Sequence, residues 1–291
     1  GFDRYFNDKV LRFDFMLSGN STNTLVYPMG MKEEPFWSGS LKNLTDPFDY
    51  GSFKYELFDS TSNVLIYSRG FCTLFQEWQT TAEAKVMQRS FYEVATMPYP
   101  KNKVRFVLSI RERNGEFSKL YETVIDPEDY FIRKEQVSKV QTSRIHYSGD
   151  PHECVDFAFL AEGYTAGEMD KFRKDAARMA DLLLKEKPFS EFRDKINIWA
   201  VEAVSADSGT DIPGEKIYRN TAMNASFYTF NLDRYLTTQD IKSVNDFAAT
   251  VPHDNIIVLI NSDKYGGGGV YNYYSGTTVD HALSVHVFLH E

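Results

Sequence analysis

Val155-Asp156-Phe157-Ala158-Phe159-Leu160-Ala161 is a short apolar run suited to a buried strand. Glu162-Gly163-Tyr164 breaks it, and Thr165 with Glu168 then has capping-box spacing. A helix is expected from there, because Met169, Phe172, Ala176, Met179 and Leu183 recur at steps of three and four along one stripe. Pro188 is expected to stop it. Ile196-Asn197-Ile198-Trp199-Ala200-Val201 supplies the next strand, so the unit reads β-α-β with parallel strands. Downstream, Thr237 and Asp240 open a second helix bearing Ile241, Val244 and Phe247 or Ala248, ended by Pro252, and Ile256–Ile260 is a further strand. The second half is therefore α/β.

Upstream the period changes from the helical one to two. Leu11, Phe13, Phe15 and Leu17 alternate with Arg12, Asp14 and Met16, and Phe53, Tyr55 and Leu57 alternate with Lys54 and Glu56. Val104, Phe106, Leu108 and Ile110 do the same. Such alternation places one strand face in a core and the other in water. Asn114-Gly115 between two such runs is a strong hairpin signal. Residues 1–125 thus read as an antiparallel β-sandwich, 126–150 as a polar linker, and 151–291 as the α/β domain. Glu33-Glu34-Pro35-Phe36-Trp37 and Gln76-Glu77-Trp78 mix carboxylates with indoles; sandwich packing is the favoured reading and a ligand platform the other.

Composition narrows the function classes. The 291 residues are 42% hydrophobic and 25% charged, ordinary for folded chains, which excludes wholesale disorder. A net charge of -9 without a dense basic run argues against nucleic acid as a partner. No apolar stretch is long enough to span a bilayer. Gly1-Phe2-Asp3-Arg4 reads as a mature or engineered start, with any export signal removed. Two cysteines, Cys72 and Cys154, exclude a disulfide scaffold, and free thiols are favoured over a bridge. Asp207-Ser208-Gly209-Thr210-Asp211 has oxygens enough for calcium, but it lacks the rest of any known calcium loop, and turn chemistry is the favoured reading. The connection from Ser205 to Tyr235 is long enough to be an active-site wall.

The chemical signal lies at Gly266–Glu291. Gly266-Gly267-Gly268-Gly269 has no Walker continuation but permits close backbone approach. Val270-Tyr271-Asn272-Tyr273-Tyr274 then reads as an edge strand able to pair with an extended peptide, which makes Gly268, Gly269, Tyr271 and Tyr273 candidate substrate-binding residues. A helix from His281 to Glu291, capped by Thr278 or Asp280, ends on His290-Glu291. That pair is the first half of His-Glu-x-x-His, in which two histidines on one helix face hold zinc and the glutamate is general base. The second histidine would follow one helical turn on, past Glu291. His286 and His290, four apart, are the alternative two-histidine pair. His146, His152, His253 and His281 have no metal-type spacing.

Several stretches together resemble one family. Phe159–Thr165, Asp207–Gly214, Asp233-Arg234-Tyr235-Leu236, Val258–Gly269 and Val287–Glu291 are similar to the IgA-peptidase-like family of secreted bacterial zinc metallopeptidases. Tyr67–Phe71 and Phe75–Thr80 resemble its N-terminal β domain. The resemblance implies a zincin-like peptidase domain, His290 as zinc ligand, Glu291 as catalytic base, zinc as cofactor and a protein or peptide substrate, for which the family name suggests an immunoglobulin. It also implies a secreted, cell-surface or periplasmic protein. Because the second histidine and later ligands lie outside these residues, this fragment is expected to be inactive and the longer protein active. The alternative is a non-catalytic protein that binds a glycan or host protein through the sandwich, with Trp37 and Trp78 as contacts. An ester or glycoside hydrolase is disfavoured, since there is no Gly-x-Ser-x-Gly elbow.

Overall fold

A computed structural model describes residues 1–291. The chain divides into two compact units, Gly1–Gln136 with Tyr271–Tyr273, and Val137–Val270 with Tyr274–Glu291. Strands dominate the first, and the second mixes strands and helices. No helix is long and apolar enough to cross a membrane.

The first unit comprises α1 (Phe2–Tyr5), β1 (Phe6–Asn20), β2 (Asn23–Glu34), β3 (Phe53–Asp59), β4 (Leu65–Phe71), α2 (Leu74–Gln79), β5 (Arg89–Pro100), β6 (Val104–Arg111), β7 (Phe117–Ile125) and β8 (Ile132–Arg133). The strands form two sheets, β5-β1-β2-β8 and β4-β3-β6-β7. All pairs are antiparallel except β2 with β8. Phe13 of β1 meets Phe106 of β6 edge-on at 5.0 Å, and Tyr55 of β3 donates through its hydroxyl to the Thr96 carbonyl of β5, so the sheets pack face to face. The sandwich expected from the alternation is present. The β6–β7 hairpin turns at Asn114-Gly115, where Gly115 takes φ +88°.

One expectation needs correction, and one alternative falls away. The polar residues of β1 do not face water: Arg12 and Asp14 are as buried as Phe13. They survive burial because they neutralise each other, with Arg12 bonded to Asp14 at 2.6 and 3.0 Å and to Glu34 at 3.4 Å, and with the Tyr92 hydroxyl donating to Asp14. Trp37 and Trp78 are buried too, the latter donating its indole N–H to Glu83, so neither offers a ligand surface.

The second unit adds β9 (Thr142–His146), β10 (Val155–Glu162), α3 (Met169–Leu183), β11 (Ile196–Val201), α4 (Ile241–Ala248), β12 (Asn255–Ile260), β13 (Gly267–Val270), β14 (Tyr274–Thr278) and α5 (Ser284–His290). Its single sheet runs β13-β14-β12-β10-β11-β9. The central pairs β10–β11, β10–β12 and β12–β14 are parallel, while both edge strands, β9 and β13, run antiparallel to their neighbours. The Thr165–Glu168 capping box forms, closing a 3-10 turn that leads into α3. The apolar stripe of α3 packs on Phe157, Phe159 and Ile198. α3 ends at Leu183, ahead of Pro188, because the amides of Lys185 and Glu186 close tight turns onto the Leu182 and Leu183 carbonyls. Asp240 caps α4 by accepting from the Ser243 amide.

Candidate active site

The helix that carries His290 begins at Ser284, three residues later than the sequence suggests. The His281 ring explains the delay, since its Nδ1 accepts the Leu283 amide and holds a turn there. Val287 and Phe288 are buried and seat α5 on the sheet, with Phe288 edge-on to Phe159 at 5.8 Å. Helical geometry then sends His286 and His290, four apart, out along a common exposed face.

Opposite that face lies the edge strand, and here the structure differs from the expectation. The glycines form β13, whereas Tyr271-Asn272-Tyr273 make the turn into β14. Gly267 and Gly269 face α5. A Cβ on Gly269 would stand 2.9 Å from a Glu291 carboxylate oxygen, and one on Gly267 would stand 2.4 Å from a Val287 methyl. Any side chain at either position would drive helix and strand apart. Gly268 faces the other way, where a Cβ would lie 2.6 Å from the Tyr235 ring.

The outer edge of β13 is half covered. The Gly267 N–H donates to the Arg234 carbonyl at 3.3 Å, and its C=O accepts from the Leu236 amide at 3.2 Å. Alternate residues of an antiparallel strand turn their polar groups the same way, so Gly269 also points outward, and no strand pairs with it there.

Arg234–Leu236 close the long connection from Ser205, and one buried group organises that connection. Glu162, at the end of the central strand β10, is fully buried. It accepts from the Thr221 hydroxyl at 2.5 Å and from the Met223 and Ala225 amides at 2.8 Å each. Burial pushes its carboxyl up from the ordinary range against the opposing pull of those three donors. The Asp207 and Asp211 carboxylates accept from the Asn220 and Arg219 amides, which is turn chemistry.

Between the connection and α5 lies a cleft of about 1080 Å³, lined by Arg234, Lys264, Gly267, His286, His290 and Glu291 among others. Lys264 is paired with Asp233 at 3.0 Å and Glu215 at 3.5 Å, and these contacts raise its pKa. The structure thus brings His290 and Glu291 together with Gly267 and Gly269. Tyr271 and Tyr273 belong to the first unit. There the Tyr273 hydroxyl donates to Glu93 at 2.8 Å and accepts from the Val94 amide, while Tyr271 meets Tyr50 edge-on. Sequence reasoning missed Glu162, whose partners lie some sixty residues on, and Arg234, quoted within a motif but given no role.

Nowhere do three His, Cys, Asp or Glu side chains gather to hold a metal ion, and both cysteines are free. A catalytic zinc takes three protein ligands. These residues supply a cleft-facing imidazole with a carboxylate beside it, and do not complete such a site by themselves.

Two family models match. Residues 1–122 match Peptidase M64 N-terminus, and residues 144–291 match IgA Peptidase M64. The chain belongs to the IgA Peptidase M64 family, which is a family of metallopeptidases. A comparison with curated proteins finds no match.

Proposed function

We propose that the second unit is the zincin-like peptidase domain of a zinc endopeptidase, with His290 as one metal ligand and Glu291 as general base. One observation carries the reading: the Glu291 carboxylate sits against Gly269, whose backbone amide and carbonyl face the open edge of β13. An extended peptide adding there as a further strand would hold a backbone carbonyl beside that carboxylate. Bound zinc would lower the pKa of its water to about 7 and polarise the scissile carbonyl. Glu291 would take the proton from the attacking water and return it to the leaving amine. The edge strand fixes the register, and the glycines admit the substrate backbone close to the base. The remaining ligands are assigned outside residues 1–291, so a chain limited to these residues would cleave poorly or not at all.

The test is proteolysis of an unfolded protein substrate by a form extended past Glu291 by further helical turns and the residues that follow, compared with residues 1–291. The extended form should cleave, lose activity with a chelator, and regain it with zinc. Cleavage that ignores the chelator, or none from the extended form, would refute the assignment. Exchange of Glu291 to Gln should abolish turnover while leaving metal content unchanged.

A further inference from the structure

We propose that the Arg234 guanidinium recognises a substrate carboxylate, making this cleft selective for acidic peptides. The inference rests on the peptidase reading and deepens it. The cleft wall opposite α5 carries two permanent cations, Arg234 and Lys264. Lys264 is already matched by Asp233 and Glu215. Arg234 is exposed and makes no ion pair, side-chain hydrogen bond or ring contact, although Asp233 is its neighbour in sequence. A positive group therefore stands uncompensated in the cleft of a chain whose net charge is -9.

Its backbone is not loose. The Arg234 carbonyl is fixed to the Gly267 amide, and a Cβ on Gly267 would come within 3.6 Å of the Glu291 side chain. The Arg234 backbone is thus anchored within a residue or two, along the edge strand, of the backbone that faces Glu291, and its side chain lines the same cleft. A planar guanidinium offers two parallel N–H donors that match a carboxylate. That carboxylate has two sources, an Asp or Glu side chain near the scissile bond or the C-terminus of the peptide itself.

Binding distinguishes them without requiring turnover. Fluorescence anisotropy would follow three labelled octapeptides on residues 1–291 and on the extended protein: one with a central Glu and an amidated end, its Gln isostere with an amidated end, and the Gln isostere with a free carboxylate end. One contact to a solvent-exposed cation predicts about two- to fivefold tighter binding of a carboxylate peptide than of the amidated Gln peptide. Whichever carboxylate carries the gain identifies its source. Arg234→Gln should bring the ratio to about one and Arg234→Lys should restore part of it, as a bidentate contact requires. Arg234→Glu should reverse the preference toward a Lys-containing peptide.

Equal affinity for all three peptides, a preference that survives Arg234→Gln, or no binding of any peptide would overturn the proposal. The two readings fail separately. Chelator-insensitive hydrolysis sinks the zinc assignment and leaves the affinity ratio standing, whereas a flat ratio beside intact hydrolysis sinks only the role of Arg234.

Discussion

Replacing Glu162 by Ala tests whether one buried carboxylate holds the cleft wall in place. It removes the acceptor of three donors at once, the Thr221 hydroxyl and the Met223 and Ala225 amides. Each donor left dry costs about 1–3 kcal/mol. Against that stands the relief of no longer burying a carboxyl, which is itself worth several kcal/mol when the partners are poor. The partners here are good, at 2.5 to 2.8 Å, so the relief offsets only part of the loss. A net destabilisation of about 3 kcal/mol follows, or roughly 6–12 °C in the melting temperature of a unit this size. Gln is the finer probe. Its carbonyl can replace the oxygen shared by Thr221 and Ala225, but its amide then points an N–H at the Met223 N–H, so about half the penalty should remain.

Denaturant titration of both variants measures the cost, and limited proteolysis locates it. Cleavage should concentrate between Ser205 and Leu236, because the buried carboxylate ties that connection to β10. A loss below about 1 kcal/mol with the connection equally protected would refute the reasoning, since it would mean water or backbone rearrangement satisfies the donors as well.

Two further outcomes concern the first unit. Arg12→Ala takes the guanidinium from the buried Asp14 and Glu34 carboxylates, leaving them the Tyr92 hydroxyl and the Lys32 ammonium, and should cost about 3 kcal/mol by denaturant titration; a cost near zero would refute the view that Arg12 is what sustains their burial. Glu93, pushed up to about 8 by burial, should make stability depend on pH. The folded state holds that proton more tightly than the unfolded state, so its contribution is complete below the ordinary glutamate range and is lost as pH rises toward 8. Thermal melts from pH 5 to 8 should therefore fall more steeply for the native chain than for Glu93→Gln, and parallel curves would refute this.

What the sequence disclosed was local. The apolar stripe of α3, the Thr165–Glu168 box, the Asp240 cap and the Asn114-Gly115 hairpin each depend on residues near one another in sequence, and each forms as read. What it concealed depended on distant partners. Arg12 and Asp14 look like the solvent face of a strand until Glu34 and Tyr92 are seen closing over them. Glu162 reads as the residue that ends a hydrophobic run, because its three donors follow about sixty residues later. The sequence places the edge strand one segment later than the structure does, for a related reason. Aromatic residues favour strands and glycines do not, yet here close approach decides the matter, with α5 on one face of β13 and Tyr235 on the other.

That close approach also bears on how His290 and Glu291 acquire a role. The dipeptide by itself has little meaning, as a surface helix carries such pairs commonly. It gains meaning from the seat of α5, where Phe288 docks on Phe159 and Val287 fills the space above Gly267. A larger residue at Gly267 would collide with Val287 before reaching Glu291, shifting the whole helix, whereas one at Gly269 would strike both the carboxylate and the backbone carbonyl of Glu291. Both glycines therefore set how closely helix and strand approach, and Gly269 also sets where the Glu291 carboxylate lies. The chemistry proposed for the cleft depends on both, because a base two ångströms too far from an otherwise intact edge strand would bind peptide and leave its proton untransferred.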